Sequence, residues 1–288
     1  MTGKINKTPL DIDRLNEITR EWPLAERQLL DIYVSEASTF FPVISTDLEN
    51  LGRNSIVKEV GSGIGLLTLL VAEQGFRVFS FEPESAGFSL MTQFQSTVRS
   101  VWCRGPVSVE WIDEKYTAST SATGRADFIF AVNVIEHVPD WQVLVNEIVL
   151  SEKPDLKLRL IFPNYLYPYE PHFQIPTLFN KRLTKFVISK KIKNSWIIDP
   201  ISFWEDLSWP TGSQVKKHCK EMGYGCSFSN EAFSSYLKRF QVDRSFRERK
   251  GRIFTGFVKV FLPALSYFAN WLPGRFLPVI DVTITRDF

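Results

Sequence analysis

The stretch Ile56-Val57-Lys58-Glu59-Val60-Gly61-Ser62-Gly63-Ile64-Gly65-Leu66 decides the fold. Its first five residues read as a short strand, and Leu66–Glu73 reads as an apolar helix. Between them the glycines let the backbone turn sharply and approach a ligand with no Cβ in the way.

Outward from this loop, short apolar strands alternate with helical stretches. Strands are expected at Ile56–Val60, Val78–Phe81, Val107–Ile112, Phe128–Val132 and Leu158–Phe162, and helices at Leu66–Glu73, Ala86–Val98 and Trp141–Leu150. A further helix, Leu24–Phe40, precedes the first strand. The alternation predicts an α/β fold, a doubly wound and mostly parallel sheet with helices on both faces. Such sheets bind ligands at the carboxyl ends of their strands. Past Phe162 the rhythm breaks. A Pro/Tyr-rich segment leads into a basic amphipathic stretch, Lys181–Lys193; Ser213–Met222 then reads as a helix capped by Gly223, and Cys226–Phe228 as a short strand. The β-branched run Val279–Thr285 closes the chain and belongs in the sheet. The expected organisation is a helical segment over 1–50 and one α/β domain over 51–288, in which 163–212 and 231–275 form a helical cap or insertions.

Composition narrows the classes. Apolar residues make up 44% and charged residues 23% of the 288, which excludes disordered and collagen-like chains. A net charge of +2 gives no argument for nucleic acid, and no recognition module is visible. The 24 Phe and 8 Trp exceed what a core needs and suggest apolar surface committed to a ligand, lipid or partner. Cys103, Cys219 and Cys226 lack metal spacing and read as thiols of a reducing compartment. The N-terminus lacks an apolar signal region, so a cytoplasmic location is expected, peripheral to the inner membrane face if the basic segments meet lipid.

A glycine-rich strand–loop–helix is shared by nicotinamide-binding domains. Those want Gly or Ala where this chain has Leu66, and Glu59 stands inside the loop motif, where a carboxylate can organise the loop and offset a cationic ligand. The second strand ends in Glu82-Pro83, an acid placed to accept from both ribose hydroxyls of an adenosine. The third ends in Ile112-Asp113, for packing on adenine and accepting from its amine.

With these residues in view the chain resembles a class I S-adenosylmethionine-dependent methyltransferase, of the group that contains the ubiquinone-pathway O-methyltransferases. The resemblance rests on Glu59-x-Gly61-x-Gly63-x-Gly65, on Glu82, and on Asp127-Phe-Ile-Phe-Ala-Val-Asn133-Val-Ile-Glu136-His137-Val-Pro-Asp140 at the fourth strand. It covers about residues 50–165 and the closing strand. It implies strand order 3-2-1-4-5-7-6 with strand seven antiparallel, and methyl transfer by direct displacement at the sulfonium. The expected cofactor is S-adenosylmethionine, held by Glu59, Gly61, Ser62, Gly63, Gly65, Glu82, Pro83, Ile112, Asp113 and Asn133.

Methylation of a hydroxyl requires that its proton be removed as the oxygen attacks. Of the three histidines, His137 follows the fourth strand and His172 the fifth, which makes them the catalytic candidates; His218, among lysines, reads as a surface residue. Small-RNA methyltransferases hold a divalent ion with E-x-x-E-H and a distant histidine. Here Glu136, His137 and His172 are the corresponding ligands, but Asn133 replaces the first acid, so a histidine base is preferred to a metal. Ile253–Leu272 is apolar over about a bilayer's thickness, yet Lys259, Pro263, Asn270 and the return of Val279–Thr285 to the sheet argue for a cap or interfacial segment. Basic runs at Lys181–Lys193 and Lys238–Arg252 suit anionic lipid or a phosphorylated acceptor. The expected activity is O-methylation of a small or lipid-linked molecule, such as a quinone precursor or a surface-polysaccharide sugar. Against it stand a catalytically silent subunit that binds a partner or membrane, and a nicotinamide oxidoreductase.

Overall fold

The computed structural model describes residues 12–52, 54–83, 89–102, 108–120, 124–195, 199–243, 246–247, 267 and 271–286. The chain packs as two compact units, residues 1–132 with 148–158, and 133–147 with 159–288. The main sheet has seven strands in the order β3-β2-β1-β4-β5-β9-β8.

The first unit begins with helices α1 (Ile12–Ile18) and α2 (Leu24–Leu48). Then β1 (Ile56–Val60), α3 (Leu66–Ala72), β2 (Arg77–Phe81), α4 (Ser89–Trp102), β3 (Ser108–Ile112) and β4 (Phe128–Val132) alternate as the sequence predicts. Helix α5 (Trp141–Ser151) and strand β5 (Lys157–Pro163) straddle the boundary between units. Val57, Val78, Phe79, Phe81, Phe128, Ile129 and Phe130 are fully buried, because a parallel sheet is covered on both faces and its strands are apolar throughout. Parallel register aligns Val60 with Phe81 and Phe81 with Ile112. Gly61, Glu82 and Asp113 therefore leave three neighbouring strands at one level.

Lys58, in the middle of β1, departs from the apolar pattern, as do its neighbour Glu59 and Ser80 of β2. The Lys58 ammonium lies 2.5 Å from Glu152, which also accepts from Tyr116 Oη at 2.6 Å and from the Ala126 amide at 2.5 Å. Both members of the pair are fully buried, and a charge this deep persists only when its partner is itself saturated with hydrogen bonds.

Helix α2 runs eight residues beyond the expected Phe40 and passes through Pro42. Phe40, Phe41, Val43, Ile44 and Leu48 are all buried on its inner side, and this packing outweighs the amide that proline cannot supply.

The second unit contains a two-stranded hairpin that the sequence did not reveal, β6 (Tyr169–Glu170) against β7 (Ile175–Pro176). It adds two strands to the chain, so the expected sheet order 3-2-1-4-5-7-6 is the observed one with its last two strands numbered nine and eight. Helices α6 (Lys181–Lys193) and α7 (Pro200–Asp206) follow. Then come α8 (Gly212–Met222), started by a Thr211–Gln214 capping box and ended at Gly223 with φ 69°, β8 (Tyr224–Phe228) and α9 (Glu231–Val242). The closing strand β9 (Val279–Arg286) is antiparallel to β8, with Val282 opposite Phe228. Arg159 fixes this side of the unit. Its guanidinium donates twice to Asp281, at 2.8 Å each, and once to Glu231 at 2.7 Å.

Cys219 is buried and Cys226 half-buried, both as free thiols. Cys103, nearly all of Ile253–Leu272, and the Lys238–Arg252 run beyond Asp243 apart from Phe246 and Arg247 lie outside the described residues. Among the described residues no helix is long and apolar enough to cross a membrane.

Candidate active site

In the first unit the glycine loop leaves β1 with Gly61, Gly63 and Gly65 all in the left-handed region, at φ 69°, 55° and 85°. The amides of Gly61 and Ser62 both donate to Phe81 O at the end of β2, at 2.8 and 3.2 Å. Ser80 Oγ donates to Ser62 Oγ at 2.7 Å, and Gln95 Nε2 of α4 donates to Gly63 O at 2.8 Å. The loop is thus held from outside as well as from within, where the Gly65 amide donates to Ser62 O at 2.9 Å.

Two of the glycines serve different ends. A Cβ at Gly65 would fall 2.5 Å from the Trp111 indole, so this position is closed by the protein's own packing. A Cβ at Gly63 would meet only the Met91 methyl at 3.9 Å. The Gly63 side of the loop is open, as a cradle for a ligand requires.

Glu82 occupies the end of β2 as expected, and its Oε2 accepts from the Gly63 amide at 2.7 Å. Burial pushes its carboxyl up, against that hydrogen bond. Glu59 is fully enclosed, accepts from the Thr68 hydroxyl of α3, and is pushed up to about 8, mainly by burial. A buried acid of this kind is poised to become charged beside a cation, and the sulfonium of S-adenosylmethionine is one. The open Gly63 cradle, buried Glu59 and half-buried Glu82 fit that cofactor.

Pro83 and Ile112 are half-buried beside these groups. Asp113, expected at the adenine amine, is exposed and lies 3.4 Å from Arg99, whose guanidinium stacks on Trp111 at 4.2 Å. Three residues near the loop escape a motif reading: Tyr33, Met91 and Trp111. The Tyr33 hydroxyl meets Met91 Sδ at 3.4 Å and is pushed up to about 12 by burial, then by Glu36 and Glu82. Only the packing of α2 and α4 brings them there; their spacing carries no signal.

In the second unit Asn133, which directly follows β4, has φ 54°. An asparagine tolerates the left-handed region better than most residues, and its amide is held by Ile161 O at 2.8 Å. This turn starts the short 3-10 segment Ile135–His137, which the Ser208 amide and hydroxyl tie down through the carbonyls of Glu136 and Ile135, at 2.8 and 2.9 Å.

Glu136, His137 and His172 converge as the sequence proposed, with one ligand atom from each lying within 4.8 Å of the others. The two imidazoles meet edge to face at 4.7 Å, and Phe203 of α7 covers both, at 5.2 and 5.4 Å. Burial, and then His172, push His137 down to about 3, so its ring is neutral near neutral pH.

Glu170 was not foreseen. It is fully buried and lies 2.6 Å from His172 Nδ1; it accepts from the Phe173 amide at 2.6 Å and from the Tyr165 hydroxyl at 3.1 Å. Its signal was present in Tyr169-Glu170-Pro171-His172, but two residues apart on a β6–β7 hairpin is a relation that only the hairpin creates. His218 is not a plain surface residue. It is half-buried, 3.0 Å from Asn146 and against Trp141.

A profile of a methyltransferase-domain family matches residues 37–196, more than half of the chain. The chain belongs to this family: it is a class I S-adenosylmethionine-dependent methyltransferase, with S-adenosylmethionine as its cofactor. That membership removes the nicotinamide reading. Among individual proteins, it is 30% identical over 249 residues to an uncharacterized protein of Mycobacterium tuberculosis, matching 84% of this chain and 83% of that one. Among solved structures, Haemonchus contortus phosphoethanolamine N-methyltransferase 2, with S-adenosylmethionine bound, is similar at 14% identity and TM-score 0.48. The match covers 86% of this chain and only 52% of that enzyme, so this chain spans about half its length. The plantazolicin methyltransferase BpumL is similar at 10% identity and TM-score 0.44, over 96% and 91% of the two chains.

Proposed function

We propose that the protein transfers the methyl group to a hydroxyl of a small or lipid-linked acceptor. The observation that carries this reading is the contact between fully buried Glu170 and half-buried His172. Glu170 accepts at Nδ1 and leaves Nε2 of His172 as the basic nitrogen. A hydroxyl needs such a base because its oxygen is a weak nucleophile until the proton departs, whereas a neutral amine already carries the lone pair it uses. When bound, S-adenosylmethionine supplies an electrophilic methyl on a sulfonium. His172 Nε2 takes the proton of the acceptor hydroxyl as its oxygen becomes the nucleophile. Neutral His137 offers a hydrogen-bonding ring beside it, and Phe203 packs edge-on against both imidazoles.

The convergence of Glu136, His137 and His172 favours a second reading, in which a divalent ion takes these three ligands and acidifies the hydroxyl. Glu170 would then orient a ligating histidine, as carboxylates behind metal-bound imidazoles do.

The test uses methyl-labelled S-adenosylmethionine with matched phenol, sugar and amine acceptors, and identifies the methylated atom by NMR. Methylation at oxygen is expected, with loss of turnover in His172→Ala. Methylation at nitrogen alone, or no product from any acceptor class, overturns the reading. Chelator treatment separates the two forms: a base-driven enzyme keeps its rate, and a metal-driven one loses it and recovers on adding Mn²⁺.

A further inference from the structure

Helix α6 presents two apolar faces where a helix packed on a globular unit needs only one. Thr184 and Ile192 are buried, and the inner face belongs to the aromatic core of Phe173, Ile175, Trp204 and Leu207. On the outside, Phe179 just before the helix is 69% exposed, Phe186 82% and Val187 59%, with Leu178 and Leu183 also exposed. Leu183, Phe186 and Val187 are neighbours at helical spacing before the helix breaks at Ile188 (φ −112°, ψ 16°), and exposed Phe179 precedes its first turn at φ 58°.

Along the chain, the charge around these apolar side chains has a single sign, and Glu205 of α7 is the acid that meets it in space. Residues 171–198 contain Lys181, Arg182, Lys185, Lys190, Lys191 and Lys193 and no Asp or Glu. Lys181 donates to the Glu205 and Leu207 carbonyls, at 2.6 Å each, and Lys185 pairs with Glu205, so these two pin α6 to α7. Arg182, Lys190, Lys191 and Lys193 are exposed and make no ion pair among the described residues. Beside the helix a groove of about 810 Å³ is lined by Lys181, Arg182, Lys185 and Lys193, with Phe186 and one acid, Glu205.

We propose that α6 is a membrane-docking helix that lies on an anionic lipid surface. Phe179, Leu183, Phe186 and Val187 enter the acyl boundary, and Arg182, Lys190, Lys191 and Lys193 meet the headgroup phosphates. An exposed apolar helical turn followed directly by a run of exposed cations is the composition an interfacial segment takes. A second copy of the chain is a poor occupant, since a two-fold contact would set these cations against themselves. The groove gives a lipid phosphate a recess beside the helix. Docking here also reaches the histidines, because α7 carries both Glu205, which holds Lys185, and Phe203, which covers His137 and His172. Docking requires no step of methyl transfer. To the hydroxyl-acceptor reading, on which only this last point rests, it adds the surface where a lipid-linked acceptor is met.

The experiment is co-sedimentation of the full chain with phosphatidylcholine vesicles, with and without phosphatidylglycerol, at low and high salt. The chain is expected to sediment with the anionic vesicles and to be released by salt, which screens the lysines. Lys190→Gln and Lys191→Gln should each weaken binding about fivefold. Phe179→Ser with Phe186→Ser should abolish it. All variants should keep the parent's circular dichroism and its affinity for S-adenosylmethionine, since none of these residues belongs to the glycine loop. Equal binding to neutral vesicles, no binding to either kind, unchanged binding by the variants, or a dimer that the Phe variants dissociate overturns the proposal. Vesicle binding is read without acceptor or turnover. A failure of O-methylation therefore leaves this result standing, and the reverse holds as well.

Discussion

His172 Nδ1 and Glu170 Oε1 lie 2.6 Å apart, with the carboxylate fully buried on the β6–β7 hairpin. A buried carboxylate at Nδ1 favours the tautomer with its proton there and Nε2 unprotonated. Replacing Glu170 by Gln keeps the shape and removes the charge that favours that tautomer. We expect Glu170→Gln to lower kcat on the order of 10²-fold, within the range a general base supplies, with the affinity for S-adenosylmethionine unchanged. Steady-state kinetics alongside calorimetric titration of the cofactor decide it. A proportionate loss of cofactor affinity would show that the hairpin only supports the fold.

Glu82 should matter to the cofactor twice, through the ribose hydroxyls and through its hold on the Gly63 amide at 2.7 Å. Glu82→Ala is expected to weaken S-adenosylmethionine binding by about 1–3 kcal/mol, the cost of unpaired polar groups and a lost charged acceptor. Titration calorimetry measures this directly, and parent-like affinity would refute the ribose assignment.

The two loop glycines should fail differently. At Gly63, with φ 55° and open space, alanine meets only Met91, so Gly63→Ala should cost about 1–2 kcal/mol of backbone strain and Gly63→Val should abolish cofactor binding in a folded protein. At Gly65 an added Cβ strikes the Trp111 ring at 2.5 Å, so Gly65→Ala should destabilise the protein well beyond strain alone. Combining it with Trp111→Ala should recover part of that loss. Thermal melts of the single and double variants test the coupling; additive losses would mean that the indole does not set the requirement.

Acid should unfold the protein partly through His137. Its folded-state value is pushed down to about 3, while in the unfolded chain it protonates near the ordinary histidine value of about 6.5. Between those values the unfolded state binds the extra proton, so stability is full above the unfolded value and falls as pH drops toward 3, by at most about 1.4 kcal/mol per pH unit. Glu59 runs the other way. Its value is raised to about 8, so stability is lost as pH climbs from the unfolded carboxylate range through 8. Denaturant titrations across pH should show His137→Asn flattening the acid limb and Glu59→Gln the alkaline one. Parent-like slopes in both variants would count against these burial effects.

What the sequence determined by itself was the local grammar. Strand β1, the glycine loop, α3 and the acid at Glu82 appear where the pattern of apolar, glycine and acidic residues puts them, because strand and helix periods and a glycine's backbone freedom act over a few residues. The same holds for the pairing of β9 with the sheet, which β-branched residues at the end of the chain already required. What the tertiary structure alone decided lies between distant residues. It turned Asp113 toward Arg99, placed Trp111 on Gly65, and brought Tyr33 of α2 to Met91 of α4. It also made Glu170 the partner of His172, set Glu136, His137 and His172 together, and left α6 with an apolar face uncovered. None of these has a period. Each depends on which side chains a fold encloses and which it leaves in water, and that enclosure fixes the tautomer, the charge and the reach of every acid and imidazole in the site.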